Sequence, residues 1–142
     1  MNRNTILILL IVLISAASCA KSKAITTSQN LQRQWMIKTL PGISNSDLIA
    51  AKAEINLSDM ARTGAYGGCN RIFFTTKTSG TSSISFENIG ATKMYCEKTM
   101  PVEDALITAL NQIKKYKIKG HHISFINASG EVAATAVAAD WD

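Results

Sequence analysis

The chain has 142 residues, with 15 basic and 10 acidic side chains and a formal net charge of +5. This length predicts one domain with a tail. The mild positive charge slightly favours anionic lipid headgroups, but it is too sparse to indicate a nucleic-acid-binding surface. We expect a monomer with no nucleic-acid partner.

The first eighteen residues have the order of a secretory leader. Arg3 supplies a positive charge, residues 6–14 are apolar without interruption, and residues 15–18 are small. A charged, then apolar, then small-residue order is typical of a signal peptide. The apolar run is too short to span a bilayer, which needs about 20 residues. We predict a signal peptide over residues 1–18; the alternative is a short membrane anchor that is never cleaved.

Cys19 follows this leader directly, and Ala16-Ala17-Ser18-Cys19 resembles a bacterial lipobox. The resemblance implies cleavage before Cys19 and attachment of acyl chains to its sulfur and to the new N-terminus, which together anchor a protein firmly. The next residue is Ala20 rather than Asp, which resembles an outer-membrane sorting signal. Residues 19–34 are polar and predict a lipidated N-terminus with a flexible tether. We therefore expect a protein anchored to the periplasmic face of the outer membrane.

Short segments with alternating apolar residues predict a mainly β domain over residues 35–142. Ala53, Ile55 and Leu57, for example, alternate with polar residues, as in a half-buried strand. Residues 43–51 fit no clear pattern beyond one helical turn. The predicted strands lie at residues 35–40, 53–58, 63–67, 70–78, 83–87, 115–119, 123–127 and 131–139.

One amphipathic helix is predicted after Pro101, a residue that suits the first helical position. Glu103 and Asp104 favour the positive end of its dipole, and Lys114 and Lys115 the negative end. The lysines that then alternate with Tyr116 and Ile118 favour a solvated strand face that discourages edge pairing. The apolar stripe of the helix consists of Val102, Ala105, Leu106, Ala109, Leu110 and Ile113.

The cysteine count leaves one pair once Cys19 is assigned to lipid. Cys69 and Cys96 remain, and an oxidising envelope compartment favours a disulfide between them. The alternative is two separate buried thiols. His121 and His122 are neighbours that point to opposite faces of a strand, so only one could join the cysteines in a zinc site. We therefore expect no metal and no other cofactor.

The motifs Gly68-Cys69-Asn70 and Thr92-Lys93-Met94-Tyr95-Cys96 resemble those of the META domain family, that of the heat-shock protein HslJ. The resemblance continues through Trp35, Glu103 and Gly130 and covers about residues 35–139. It implies a small lipocalin-like antiparallel β-barrel of about eight strands with one helix. It also implies an envelope protein linked to heat shock and antibiotic tolerance, with no established active site and so no catalytic residues.

Two classes of function follow. The first is a non-enzymatic, stress-related envelope lipoprotein that acts by contact with other envelope components. The alternative is a carrier whose barrel binds a small apolar molecule, because small barrels either fill their interior or leave one cavity. A hydrolase lacks support, because the sequence has no Gly-x-Ser-x-Gly motif and no paired carboxylates.

Overall fold

The computed structural model describes residues 31–141, which form one closed antiparallel barrel with two helices. The strands follow one another around the barrel in chain order, and the last pairs with the first. A mainly β chain with eight strands is therefore confirmed. The elements in chain order are β1 (Gln34–Thr39), α1 (Asn45–Ala51), β2 (Glu54–Asn56), β3 (Gly64–Tyr66), β4 (Arg71–Ser79), β5 (Ser83–Ala91), α2 (Met100–Gln112), β6 (Ile113–Lys119), β7 (His122–Asn127) and β8 (Val132–Ala138).

The apolar side chains that alternate along the strands point into the barrel. In β1, Trp35 and Ile37 are buried, and the residues beside them are more exposed. Strand β7 repeats this pattern with Ile123 and Phe125. The buried side chains form one contiguous core, with Trp35, Ile55 and Phe125 fully covered. Burying aromatic and aliphatic groups of this size is the main source of folding free energy.

The prediction of a single helix is wrong, because residues 45–51 form a second one, α1. The Ser44 hydroxyl caps its start by accepting a hydrogen bond from the Asp47 amide at 3.2 Å. Lys52 ends it in the left-handed conformation, with φ 50°. Only Leu48 and Ala51 are buried, so seven residues give too few apolar positions for a recognisable stripe.

Helix α2 buries the predicted stripe, including Val102, Leu106 and Leu110. It ends one residue earlier than the stripe suggests, because Ile113 is extended and opens β6. Lys114 and Lys115, expected at the helix end, therefore lie in a strand. The helix packs beside β5, which pairs with β6 only at Ser83 and Lys115.

The packed domain begins before Trp35, where the sequence predicted a flexible tether. Leu31 is 3% exposed, and its carbonyl accepts a hydrogen bond from the Trp35 indole at 3.0 Å. Arg33 Nε donates to Asp140 Oδ1 at 3.0 Å, and this bond lowers the pKa of Asp140 below its usual value. Both ends of the domain are thus joined at one end of the barrel. Residues 1–30, including Cys19, lie outside the described residues.

Candidate functional site

A disulfide brings the two sequence motifs together at the other end of the barrel. Cys69 lies in the turn between β3 and β4, and Cys96 in the segment between β5 and α2. Their Cα atoms are 5.9 Å apart, within the range that a disulfide requires. The bond fixes the segment 92–99 over the turn 67–70.

Asn70 is the hydrogen-bonding centre of this site, and its side chain is 2% exposed. Its Oδ1 accepts from the Thr92 hydroxyl and from the Met94 amide, each at 2.8 Å. Its Nδ2 donates to the Met94 carbonyl at 2.9 Å and to Glu103 Oε1 at 2.8 Å. An amide side chain has two donors and two acceptor positions, so all four are used.

Glu103 lies in the first turn of α2 and is 3% exposed. Its Oε2 accepts a hydrogen bond from the backbone N–H of Asn70 at 2.7 Å, while its Oε1 accepts from the side-chain Nδ2 of the same residue. A buried carboxylate is tolerated only with such partners, and the helix N-terminus adds a favourable field. From the sequence, Glu103 was a favourable helix-start charge and one of the residues of the family resemblance, but its burial was not predicted. Its burial depends on the turn 67–70 folding over α2, which no local pattern reveals.

Two glycines allow that close approach. A Cβ on Gly67 would lie 2.7 Å from the Glu103 Cα, so the two backbones are in contact. Gly68 has φ +102°, a conformation that side chains rarely adopt, and its Cβ would lie 2.8 Å from Thr99. The Gly-Gly pair before Cys69 therefore serves the packing of this turn against α2.

The segment held by Asn70 presents two apolar side chains to solvent. Met94 is 58% exposed and Tyr95 is 82% exposed. Both the amide and the carbonyl of Met94 bond to Asn70, and Cys96 follows in the disulfide. The backbone that carries this exposed pair is thus held in place by its hydrogen bonds to buried Asn70 and by the disulfide.

The carboxylate and the two sulfur atoms of this arrangement are already paired with other groups. Both Glu103 oxygens are occupied by Asn70, and both cysteines are in the disulfide. Among residues 31–141, no group of three or more His, Cys, Asp or Glu side chains is placed to hold a metal ion. His121 lies at the other end of the barrel, where its ring stacks on Trp141 at 3.7 Å.

In the part of the chain that the structure describes, no helix has the length and apolar character needed to cross a membrane.

Comparison with known proteins places the chain in a family. The chain is similar in fold to the NMR structure of a protein from Burkholderia xenovorans, with a TM-score of 0.60, 15% identity, and coverage of 90% of this chain and 97% of that one. A second NMR structure gives a TM-score of 0.56 at 14% identity, covering 80% and 95%. A comparison with curated proteins gives no match. The family model of the META domain matches residues 29–140. The chain therefore belongs to the META domain family.

Proposed function

We propose that this protein is a non-enzymatic envelope module that binds other envelope components through Met94 and Tyr95. The observation that carries the proposal is the exposure of this apolar pair on a backbone held by the disulfide and Asn70. Exposed aromatic and methionine side chains are enriched at protein interfaces. A segment that is ordered before binding loses less conformational entropy on association. The family resemblance adds a role in heat-shock or antibiotic stress.

Attachment to the outer membrane through acyl chains on Cys19 is part of the same proposal. The apolar run at residues 6–14 and the lipobox-like residues before Cys19 support it. We expect Cys19→Ala to release the protein from the membrane fraction or to leave the leader uncleaved. Fractionation with mass measurement of the N-terminal peptide checks this. Cleavage and anchoring equal to those of the wild type would rule out acylation at Cys19.

The alternative of a lipocalin-like carrier has less support. A carrier needs space inside the barrel, whereas Trp35, Ile55 and Phe125 occupy the interior with fully buried side chains. These three side chains belong to one contiguous hydrophobic core. This packing favours contact at the outer surface over storage inside the barrel.

A site-specific photo-crosslinker at position 95 tests the binding surface. We expect a discrete partner adduct in intact envelopes, which Met94→Ser weakens about tenfold or more. The reason is that full burial of a methionine contributes roughly 1.5–3 kcal/mol, and 1.4 kcal/mol is a factor of ten in affinity.

The matched control places the same crosslinker at Val132, an apolar residue with 52% exposure on β8. A second control keeps the crosslinker at position 95 and adds Val132→Ser, which should leave the adduct from position 95 unchanged. Identical adducts from positions 95 and 132, or none from position 95, would argue against the pair as the contact surface.

A further inference from the structure

Strand β6 carries a row of lysines on the outside of the barrel. Lys115, Lys117 and Lys119 are exposed, while Tyr116 between them is buried. Alternate residues of a strand share one face and lie about 7 Å apart. The three lysine side chains therefore lie on one face of the strand.

No carboxylate faces this row across the sheet. The cross-strand partners on β7 are Ile126 for Lys115, Ser124 for Lys117 and His122 for Lys119. The next strand, β8, places Thr135 opposite Ser124 and Val137 opposite His122. Among residues 31–141 the ion pairs are Arg33 with Asp140, Arg62 with Asp59, and Lys77 with Glu87, so none involves β6.

A shallow depression at the junction of β4, β5 and β6 extends the positive surface. Lys77 and Lys114 line it together with hydroxyl groups, including those of Ser83 and Ser85. Among residues 31–141, the ion pair that these two lysines form is that of Lys77 with Glu87 at 3.9 Å, and the Lys77 side chain is still 63% exposed. We call the set Lys77, Lys114, Lys115, Lys117 and Lys119 the lysine strip.

The strip ends where the chain enters the barrel. Lys119 is followed by Gly120 and then by His121, whose Nδ1 lies 3.2 Å from Arg33 Nη2. Arg33 in turn belongs to the segment that connects the domain to residues 1–30. An N-terminal attachment to a bilayer would thus hold this end of the strip near the lipid surface.

We propose that the lysine strip docks the side of the barrel on an anionic lipid bilayer. Clusters of four or more basic residues next to a membrane attachment bind anionic headgroups, and five cations here share one side of the molecule. Tyr116, the aromatic residue between Lys115 and Lys117, is buried and offers no ring on which bases could stack, which disfavours single-stranded nucleic acid. The proposal rests on the membrane attachment through Cys19 proposed above, because that attachment brings the strip to the lipid.

Amine labelling of the full chain in vesicles tests this docking. The protein is reconstituted in phosphatidylcholine alone and in phosphatidylcholine with phosphatidylglycerol, and each lysine is read by peptide mass spectrometry. We expect Lys115, Lys117 and Lys119 to react several-fold more slowly on the anionic vesicles, and the difference to vanish in high salt because screening weakens surface charge interactions. Lys52, Lys93 and Lys98 should react equally on both. Flotation reports attachment separately, so a failed anchor is distinguished from a failed docking.

A matched pair of triple variants sharpens the result. Lys115→Glu with Lys117→Glu and Lys119→Glu should abolish the protection that remains at Lys77 and Lys114. The control Lys52→Glu with Lys93→Glu and Lys98→Glu has the same net charge and should retain it. Thermal unfolding verifies that both variants are folded. If either variant is unfolded, the comparison of wild-type labelling on the two vesicle types still tests the proposal. Equal labelling on the two vesicle types would overturn the proposal, as would equal protection by soluble glycerol phosphate or stronger protection by duplex DNA at the same phosphate concentration.

Discussion

Replacing Asn70 by aspartate should lower the free energy of unfolding by about 3–5 kcal/mol, the range for leaving a buried charge uncompensated. Asn70 Nδ2 donates to Glu103 Oε1 at 2.8 Å, and both residues are buried. In Asn70→Asp a carboxylate oxygen takes the place of that donor and faces a second carboxylate. The same oxygen also faces the Met94 carbonyl, which loses its donor. Urea unfolding at neutral pH measures the loss.

Two further variants show whether the pairing itself is responsible. Asn111→Asp makes the same change at an exposed position in the last turn of α2, where a negative charge opposes the helix dipole and we expect a loss of at most about 1 kcal/mol. The double variant Asn70→Asp with Glu103→Gln exchanges donor and acceptor, so the stability lost by opposing the two carboxylates should return, and a double-mutant cycle gives the coupling. The part lost at the Met94 carbonyl should not return. A double variant no more stable than Asn70→Asp alone would show that this hydrogen bond is not what holds the turn.

Removing the disulfide should have the next largest effect. We expect Cys69→Ser with Cys96→Ser to lower the free energy of unfolding by about 2–4 kcal/mol, because the bond restricts the unfolded chain over a separation of 27 residues. The β-rich far-ultraviolet spectrum should persist, since the core is built from other side chains. Reduced wild-type protein should unfold at the same urea concentration as the double serine variant.

Thiol titration provides the independent check on this bond. The wild-type protein, denatured without reductant, should show no reactive thiol from Cys69 or Cys96. Two reactive thiols would mean that these cysteines act as separate buried side chains. The stability change on serine substitution would then reflect packing alone.

The sequence predicted the strands well because burial in a barrel alternates along most of each strand, with breaks in β6 and β8. Ile84 and Phe86 illustrate this, since both are buried between more exposed neighbours. Helix α2 was predictable for a similar reason, since Val102, Leu106 and Leu110 repeat at helical spacing. Helix α1 was not, because a seven-residue helix that buries only Leu48 and Ala51 has no periodic stripe. Its one local signal is Ser44 three residues before Asp47, a helix-capping pattern.

The candidate site was predictable only in its parts. Cysteine parity and compartment pointed to Cys69 and Cys96, and the family motifs drew attention to Asn70 and Met94. The Asn70–Glu103 contact joins residues 33 positions apart through the packing of a turn on a helix. Such a contact depends on the completed fold, so neither the burial of Glu103 nor the exposure of Tyr95 follows from local pattern.

The pairing of β1 with β8 has a consequence for the order in which the molecule assembles. Arg33 and Asp140 meet across 107 positions, and β1 pairs with β8, so the barrel stays open until the chain has emerged as far as β8. Closing so long a loop has a high entropic cost and is slow compared with local pairing. Cys69 and Cys96 are both available much earlier, so the covalent link can precede closure of the barrel. Until β8 arrives, the unpaired edges of β1 and β7 are open to other chains, which makes aggregation of incomplete chains the main hazard of this topology.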